Sequence, residues 1–106
     1  MNAADSKHQK PVRHYVLRLF VSGATRRSTL AIENIRKICD TELQGHYTLE
    51  VIDIYQQPEL TKRYQIIAVP TLIKSLPAPI RVLIGDLTQK EKVLVGLNLN
   101  SKGDQA

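Results

Sequence analysis

The apolar positions change period along the chain, and each change marks an element. The run Tyr15-Val16-Leu17-Arg18-Leu19-Phe20-Val21 is rich in β-branched and aromatic residues and closes at Ser22-Gly23. It is too short for a typical helix and predicts a buried strand. Thr25 or Ser28 can then cap a helix from about Arg27 to Gln44, because either hydroxyl can accept from a first-turn amide that has no partner within the helix. Ala31, Ile35, Ile38, Cys39 and Leu43 share one stripe of that helix, and Glu33, Asn34, Lys37 and Thr41 lie away from it. Gly45 supplies the left-handed stop. Tyr47 to Ile54 alternates and then turns wholly apolar, as a central strand paired on both edges would. Strand, helix and strand make a βαβ unit with a parallel pairing.

Proline punctuates the second half. Pro58 suits a helix start, so Glu59 to Gln65 reads as a short helix or turn. Ile66 to Lys74 reads as strand on either side of Pro70, which cannot donate to a ladder. Leu76-Pro77-Ala78-Pro79 excludes helix, Ile80 to Ile84 is a further short strand, and Gly85-Asp86 a turn. From Thr88, as a cap, to Leu97 the pattern is helical, with Glu91 completing a capping box and Val93, Leu94 and Leu97 on one face. Residues 1–12 and 99–106 are polar and read as loose tails around one domain at 13–98.

Composition narrows the function. A chain of 106 residues with 42% hydrophobic content holds one core. Its net charge of +5 favours acidic partners without choosing among protein, nucleic acid and anionic membrane. The polar start lacks a signal-peptide core, and no apolar run approaches the roughly 20 residues of a membrane span, so a cytoplasmic location without a membrane partner is expected. One cysteine, Cys39, leaves no CxxC pair for redox exchange or zinc, and on the helix stripe it reads as a buried thiol. His8, His14 and His46 lack ligand spacing, so no metal and no cofactor are expected. With one Phe, four Tyr and no Trp there is little to stack bases on, which disfavours nucleic acid. Asp53, ending the second strand, reads as a turn former.

The βαβ opening and Ala68-Val69-Pro70-Thr71-Leu72 resemble the thioredoxin-like superfamily, with Ser22-Gly23-Ala24-Thr25 where a redox member carries its cysteines. Beyond that, Leu17-Arg18-Leu19-Phe20-Val21-Ser22-Gly23, Gln44-Gly45-His46-Tyr47, Val51-Ile52-Asp53, Gln57-Pro58-Glu59-Leu60, Leu76-Pro77, Ile84-Gly85-Asp86-Leu87 and Glu91-Lys92-Val93-Leu94-Val95-Gly96-Leu97 occur in the order and spacing of the KaiB family. From Tyr15 to about Leu97 the chain resembles that family of clock proteins.

The resemblance implies an α/β protein with a thioredoxin-like βαβ N-terminal half and a C-terminal half that switches fold. Its ground state would be βαββααβ, usually a homotetramer, and its other state a thioredoxin-like βαβαββα. The second state would bind a KaiC-like hexameric ATPase, with a histidine kinase or other Kai-type regulator as a further partner. A homodimer is the smaller oligomer to expect.

It also implies partner-binding roles for Lys74, Leu76, Pro77, Arg81, Gly85 and Asp86, with Lys74 and Arg81 as exposed charges meeting an acidic patch. Fold-switch roles fall to Tyr15, Pro70, Pro77, Pro79, Gly96, Leu97 and Asn98. Two physical features fit: X-Pro bonds whose isomers lie within about 1 kcal/mol, and Gly96, which costs a helix about 1 kcal/mol against alanine. Gly96→Ala is therefore expected to shift the population between the folds.

Departures from the family pattern are Lys62-Arg63-Tyr64 in place of an acidic Glu-Glu-Asp, Arg26 for a loop proline, Leu30 and Val82 for arginines, and Asn98 for aspartate. They mark a divergent relative, in which partnership with the ATPase is expected more than timekeeping. The competing functions are a thioredoxin-like protein with monothiol redox or another protein-binding role and, further off, nucleic-acid binding.

Overall fold

A computed structural model describes residues 13–99. The loose-tail reading of residues 1–12 and 100–106 lies outside the described residues. The elements are β1 (Tyr15–Val21), α1 (Arg26–Glu42), β2 (Tyr47–Asp53), α2 (Pro58–Arg63), β3 (Thr71–Leu76), β4 (Arg81–Ile84) and α3 (Lys90–Gly96). This is the order βαβαββα, the thioredoxin-like member of the two expected arrangements.

The sheet runs β2-β1-β3-β4, with β1 parallel to β2, β3 antiparallel to β1 and β4 antiparallel to β3. The strands paired on both edges are thus β1 and β3, and β2 is an edge, contrary to the sequence reading. Burial explains the difference: Leu17, Leu19 and Phe20 of β1 are fully enclosed, whereas Thr48 and Glu50 of β2 are exposed and only Ile52 is buried. The apolar end of β2 reflects cover on both sheet faces there, not a neighbour on both edges.

Two layers of side chains follow from the period of two along β1. Leu17, Leu19 and Val21 join Leu72 with Ala31, Ile35, Ile38 and Cys39 of α1 and Val93 and Leu97 at α3. On the other face Phe20, Ile52 and Ile73 form a smaller core against Leu60 of α2 and Tyr64. The Phe20 and Tyr64 rings meet at 5.6 Å.

Thr25 is the N-cap of α1, its side chain accepting from the Ser28 amide at 3.2 Å. Ser28, the alternative cap, is buried and instead accepts from the Ser22 amide at 3.1 Å. At the helix end the left-handed turn begins at Gln44 (φ 46°) and continues through Gly45 (φ 87°). Ile66 to Val69 is not strand; β3 begins only after Pro70.

Thr88 does not cap the last helix. Its amide and hydroxyl both donate to Asp86 Oδ1, at 3.2 and 2.8 Å, and α3 starts later, at Lys90, with Gln89 as a cap position lacking a side-chain bond. The Asp86 turn competes for the threonine that the capping box required. Leu99, assigned above to the tail, is buried, and its amide donates to the Leu94 carbonyl at 2.8 Å, so the core runs past residue 98.

Candidate partner-binding surface

Because β3 runs against β1, the residues expected to bind a partner fall at opposite ends of the sheet. One end holds the start of β1, the end of β3 and the start of β4, and brings together Tyr15, Lys74, Leu76, Pro77 and Arg81. The other end, where β1 and β2 finish, holds Gly85 and Asp86 beside Pro70. Four strand residues of β4 span about 13 Å, so the six residues do not form one patch.

At the first end Lys74 departs most from expectation. It lies opposite Leu17 and Arg81 in the sheet and is 1% exposed. The pleat turns it to the face that carries Leu72, where its Nζ sits 6.0 Å from the Tyr15 ring centre. Among the described residues no carboxylate is in ion-pair range of it. Burial, then the neighbouring Arg81 and Arg13, hold its ammonium pKa below the ordinary 10.5. The exposed cation of the pair is Arg81 alone, with exposed Leu76 and half-buried Pro77 nearby.

Among the expected fold-switch residues, Tyr15, Pro70 and Leu97 are buried, Pro79 and Asn98 exposed, and Gly96 half-buried. The peptide bonds before Pro70, Pro77 and Pro79 are cis, and Asn98 is left-handed at φ 60°. Gly96 faces β4: a Cβ there would meet the Leu83 methyls and lie 3.2 Å from its Cγ.

The second end carries the Ser22-Gly23-Ala24-Thr25 loop, which the resemblance in sequence matches to the cysteine-bearing loop of redox members. Here Gly23 is left-handed at φ 57°, and a Cβ on it would lie 3.9 Å from Asp53 Oδ2. Asp53 accepts from the Tyr55 amide at 2.8 Å, as a turn-forming residue does. Gly85, at φ 125°, donates its amide to the Pro70 carbonyl at 2.9 Å. The Asp86 carbonyl accepts from Asn34 Nδ2 at 2.9 Å, tying this turn to α1. Hydrogen bonds from Thr88 hold the Asp86 carboxyl below its ordinary range.

The thiol is elsewhere. Cys39 is fully buried in α1, and burial, aided by Asp40, pushes it up to about 12, which leaves almost no thiolate at neutral pH.

Two arginines shape these surfaces: Arg18, to which the sequence reading gave no role, and Arg27, which with Arg26 it left as either a new partner surface or a solubilising pair. Arg18, on the α2 face, donates to Glu50 Oε1 at 3.1 Å and Ser75 Oγ at 2.9 Å and stacks 5.3 Å from the Tyr64 ring centre. A charged position alternating with Leu17 and Leu19 was its signal. Arg27 reaches the Gly85 turn and helps to lower Asp86; nothing in the sequence marked that approach. Among the described residues no three His, Cys, Asp or Glu gather to hold a metal, and no helix is long and apolar enough to cross a membrane.

Solved structures place this arrangement among thioredoxin-like folds. The oxidized mitochondrial thioredoxin 3 of Saccharomyces cerevisiae superposes with a TM-score of 0.65 at 13% identity, over 81% of this chain and 78% of that one. The N-terminal domain of Synechococcus elongatus SasA superposes with a TM-score of 0.62 at 26% identity, over 82% of this chain and 89% of that domain. In sequence, the circadian clock oscillator protein KaiB of a Synechococcus species is 47% identical over 89 residues, 84% of this chain and 81% of that protein. That of Synechococcus elongatus is 46% identical over 89 residues, 84% of this chain and 87% of that protein. The family model for the KaiB domain matches residues 18–99, and the chain belongs to the KaiB family.

Proposed function

We propose that the chain is a non-enzymatic regulatory protein that binds a KaiC-type hexameric ATPase in the thioredoxin-like state described above. A second arrangement of its C-terminal half, assembled as a homo-oligomer, stores the unbound chain in the cytoplasm. The observation that carries the reading is a KaiB-family sequence in a thioredoxin-like sheet whose place for redox cysteines holds Ser22-Gly23-Ala24-Thr25. A buried thiol pushed up to about 12 supports the absence of thiol chemistry.

Arg81 makes the electrostatic contact at the first end, and the rigid Gly85-Asp86 turn presents backbone at the second. Lys74, enclosed beside Arg81, adds positive potential from beneath and no direct contact. Size-exclusion chromatography with the KaiC-type ATPase of the same organism, after long incubation under ATP turnover, tests the reading. Co-elution is expected, and elution of the two proteins apart defeats it. Arg81→Ala is expected to weaken binding by roughly threefold to tenfold and to flatten its salt dependence, as for an interface charge near the rim.

A further inference from the structure

The first end of the sheet gathers positive charge that nothing among the described residues offsets. Lys74 and Arg81 are directly opposite in the β3–β4 ladder, so both side chains leave the sheet on one face. Arg13, two residues ahead of β1, is near enough for its charge to act, with that of Arg81, on the Lys74 ammonium. Like charges set directly opposite one another destabilise a sheet, and an enclosed charge is ordinarily paired.

What the cluster lacks is an acid. The two ion pairs among the described residues, Arg18 with Glu50 and Lys90 with Glu42, use none of the three cations. Nor does any side-chain hydrogen bond among the described residues. The backbone is irregular at the same place. Val16 pairs with Leu76 but Leu17 with Lys74, which leaves Ser75 as an extra residue in β3. A bulge of this kind bends its strand and re-aims the side chains beside it, and the neighbour here is Lys74.

We infer that Lys74, Arg81 and Arg13 form an anion site whose ligand is a phosphate dianion, free or as the end of a phosphomonoester. A single carboxylate would leave the three cations with two charges in excess. A phosphate carries nearly two negative charges at neutral pH and presents three strong acceptor oxygens. The guanidinium forks of Arg81 and Arg13, both exposed residues, suit two of those oxygens. Lys74, 1% exposed with its Nζ 6.0 Å from the Tyr15 ring centre, supplies a fixed charge beneath them.

Nuclear magnetic resonance reads the site without the ATPase, so its failure leaves the proposed function standing. Inorganic phosphate is titrated into the isotope-labelled chain at neutral pH, with sodium chloride holding the ionic strength constant, and the amides of the arrangement described above are followed. Saturable shifts are expected at Tyr15, Lys74 and Arg81. Arg81→Gln, an exposed change that leaves the core intact, should weaken binding roughly tenfold, as for the loss of one charge-assisted pair. Arg13→Gln should weaken it by roughly threefold.

Lys62→Gln and Arg63→Gln serve as controls. Each removes the same charge from α2, which packs on the other face of the sheet, and should leave the affinity within about twofold. Phenyl phosphate separates the two sources of ligand: binding equal to that of inorganic phosphate assigns the site to the phosphoryl end of a larger molecule, and its exclusion assigns the site to the free anion. No saturable shift at Tyr15, Lys74 and Arg81 across the millimolar range overturns the inference. So do equal losses from Lys62→Gln and Arg81→Gln, which would mean that phosphate answers to the net charge of +5 alone.

Discussion

The two ends of the chain are built to different standards. In the β1–α1–β2 unit, a helix of 17 residues with a side-chain cap lays Ala31, Ile35, Ile38 and Cys39 on strands whose Leu17, Leu19 and Phe20 are wholly enclosed. In the β4–α3 unit, a strand of four residues exposes Arg81, Val82 and Ile84, and a helix of seven residues has no side-chain cap and a single buried residue, Val93. A helix of that length is unstable alone, so packing must hold it. The contrast locates conformational freedom in the later residues, where the proposed second arrangement differs, and leaves the earlier ones common to both.

Truncation should expose the contrast most strongly. Phe20→Ala is expected to lose about 3–5 kcal/mol and Leu19→Ala about 2–5 kcal/mol, measured by urea unfolding, because each leaves a cavity in an enclosed layer. Ile84→Ala, on an exposed face, should stay within about 0.5 kcal/mol. If Ile84→Ala cost as much as Phe20→Ala, the two ends would be equally well built and the comparison would fail. Native-state hydrogen exchange gives an independent reading: amides of α3 should open by sub-global steps well below the free energy that governs β1.

Lys74 interrupts the comparison, since a cation is enclosed where the sheet passes from one end to the other. Lys74→Met keeps the length of the side chain and removes a charge that has no carboxylate partner among the described residues, and should stabilise by roughly 1–2 kcal/mol at neutral pH, less the contribution of its contact with Tyr15. The pH dependence has a definite sign. The folded chain holds the Lys74 proton less firmly than the unfolded chain, whose value is the ordinary 10.5. Stability at this site therefore rises as pH climbs through the window below 10.5.

Cys39 acts in the opposite sense: raised from 9.0 to about 12, it makes stability fall as pH passes above 9.0. The difference between wild type and Lys74→Met cancels the Cys39 contribution. The advantage of the variant should shrink toward pH 10.5, and a difference that stays flat with pH would show that Lys74 is not held as an enclosed cation.

How much of this was legible follows the same division. The stripe of α1, the Thr25 cap, the short helix from Pro58 and the run of β1 all rest on local spacing or on one residue type, and each appears in the fold. What escaped the sequence depends on distant neighbours. The edge position of β2 is decided by β3 inserting beside β1, some twenty residues later in the chain. Thr88 lost its capping role to Asp86. Lys74 reads as a surface charge in any local window, and only its pairing with Leu17 and Arg81 encloses it. The resemblance to a family supplied residues for a proposed binding surface that composition could not, but only the strand order shows that they lie at two ends.

The smallest effect tests the β4–α3 contact itself. Alanine at Gly96 should favour α3 by about 1 kcal/mol through helix propensity. The same methyl meets Leu83, whose Cγ and Cδ1 would lie 3.2 Å from the new Cβ. Leu83 is half-buried and can turn away, at about 0.5–1.5 kcal/mol for an off-rotamer side chain. These opposing contributions nearly cancel, so Gly96→Ala alone should alter the stability of this arrangement, and the balance of folds seen by NMR, by only a few tenths of a kcal/mol. With Leu83→Ala the obstruction is gone, and Gly96→Ala should then deliver its full propensity gain. A double-mutant cycle is expected to show favourable coupling of about 1 kcal/mol. Strict additivity would mean that α3 does not rest on β4 through this glycine, and that the weaker end of the molecule is joined at some other contact.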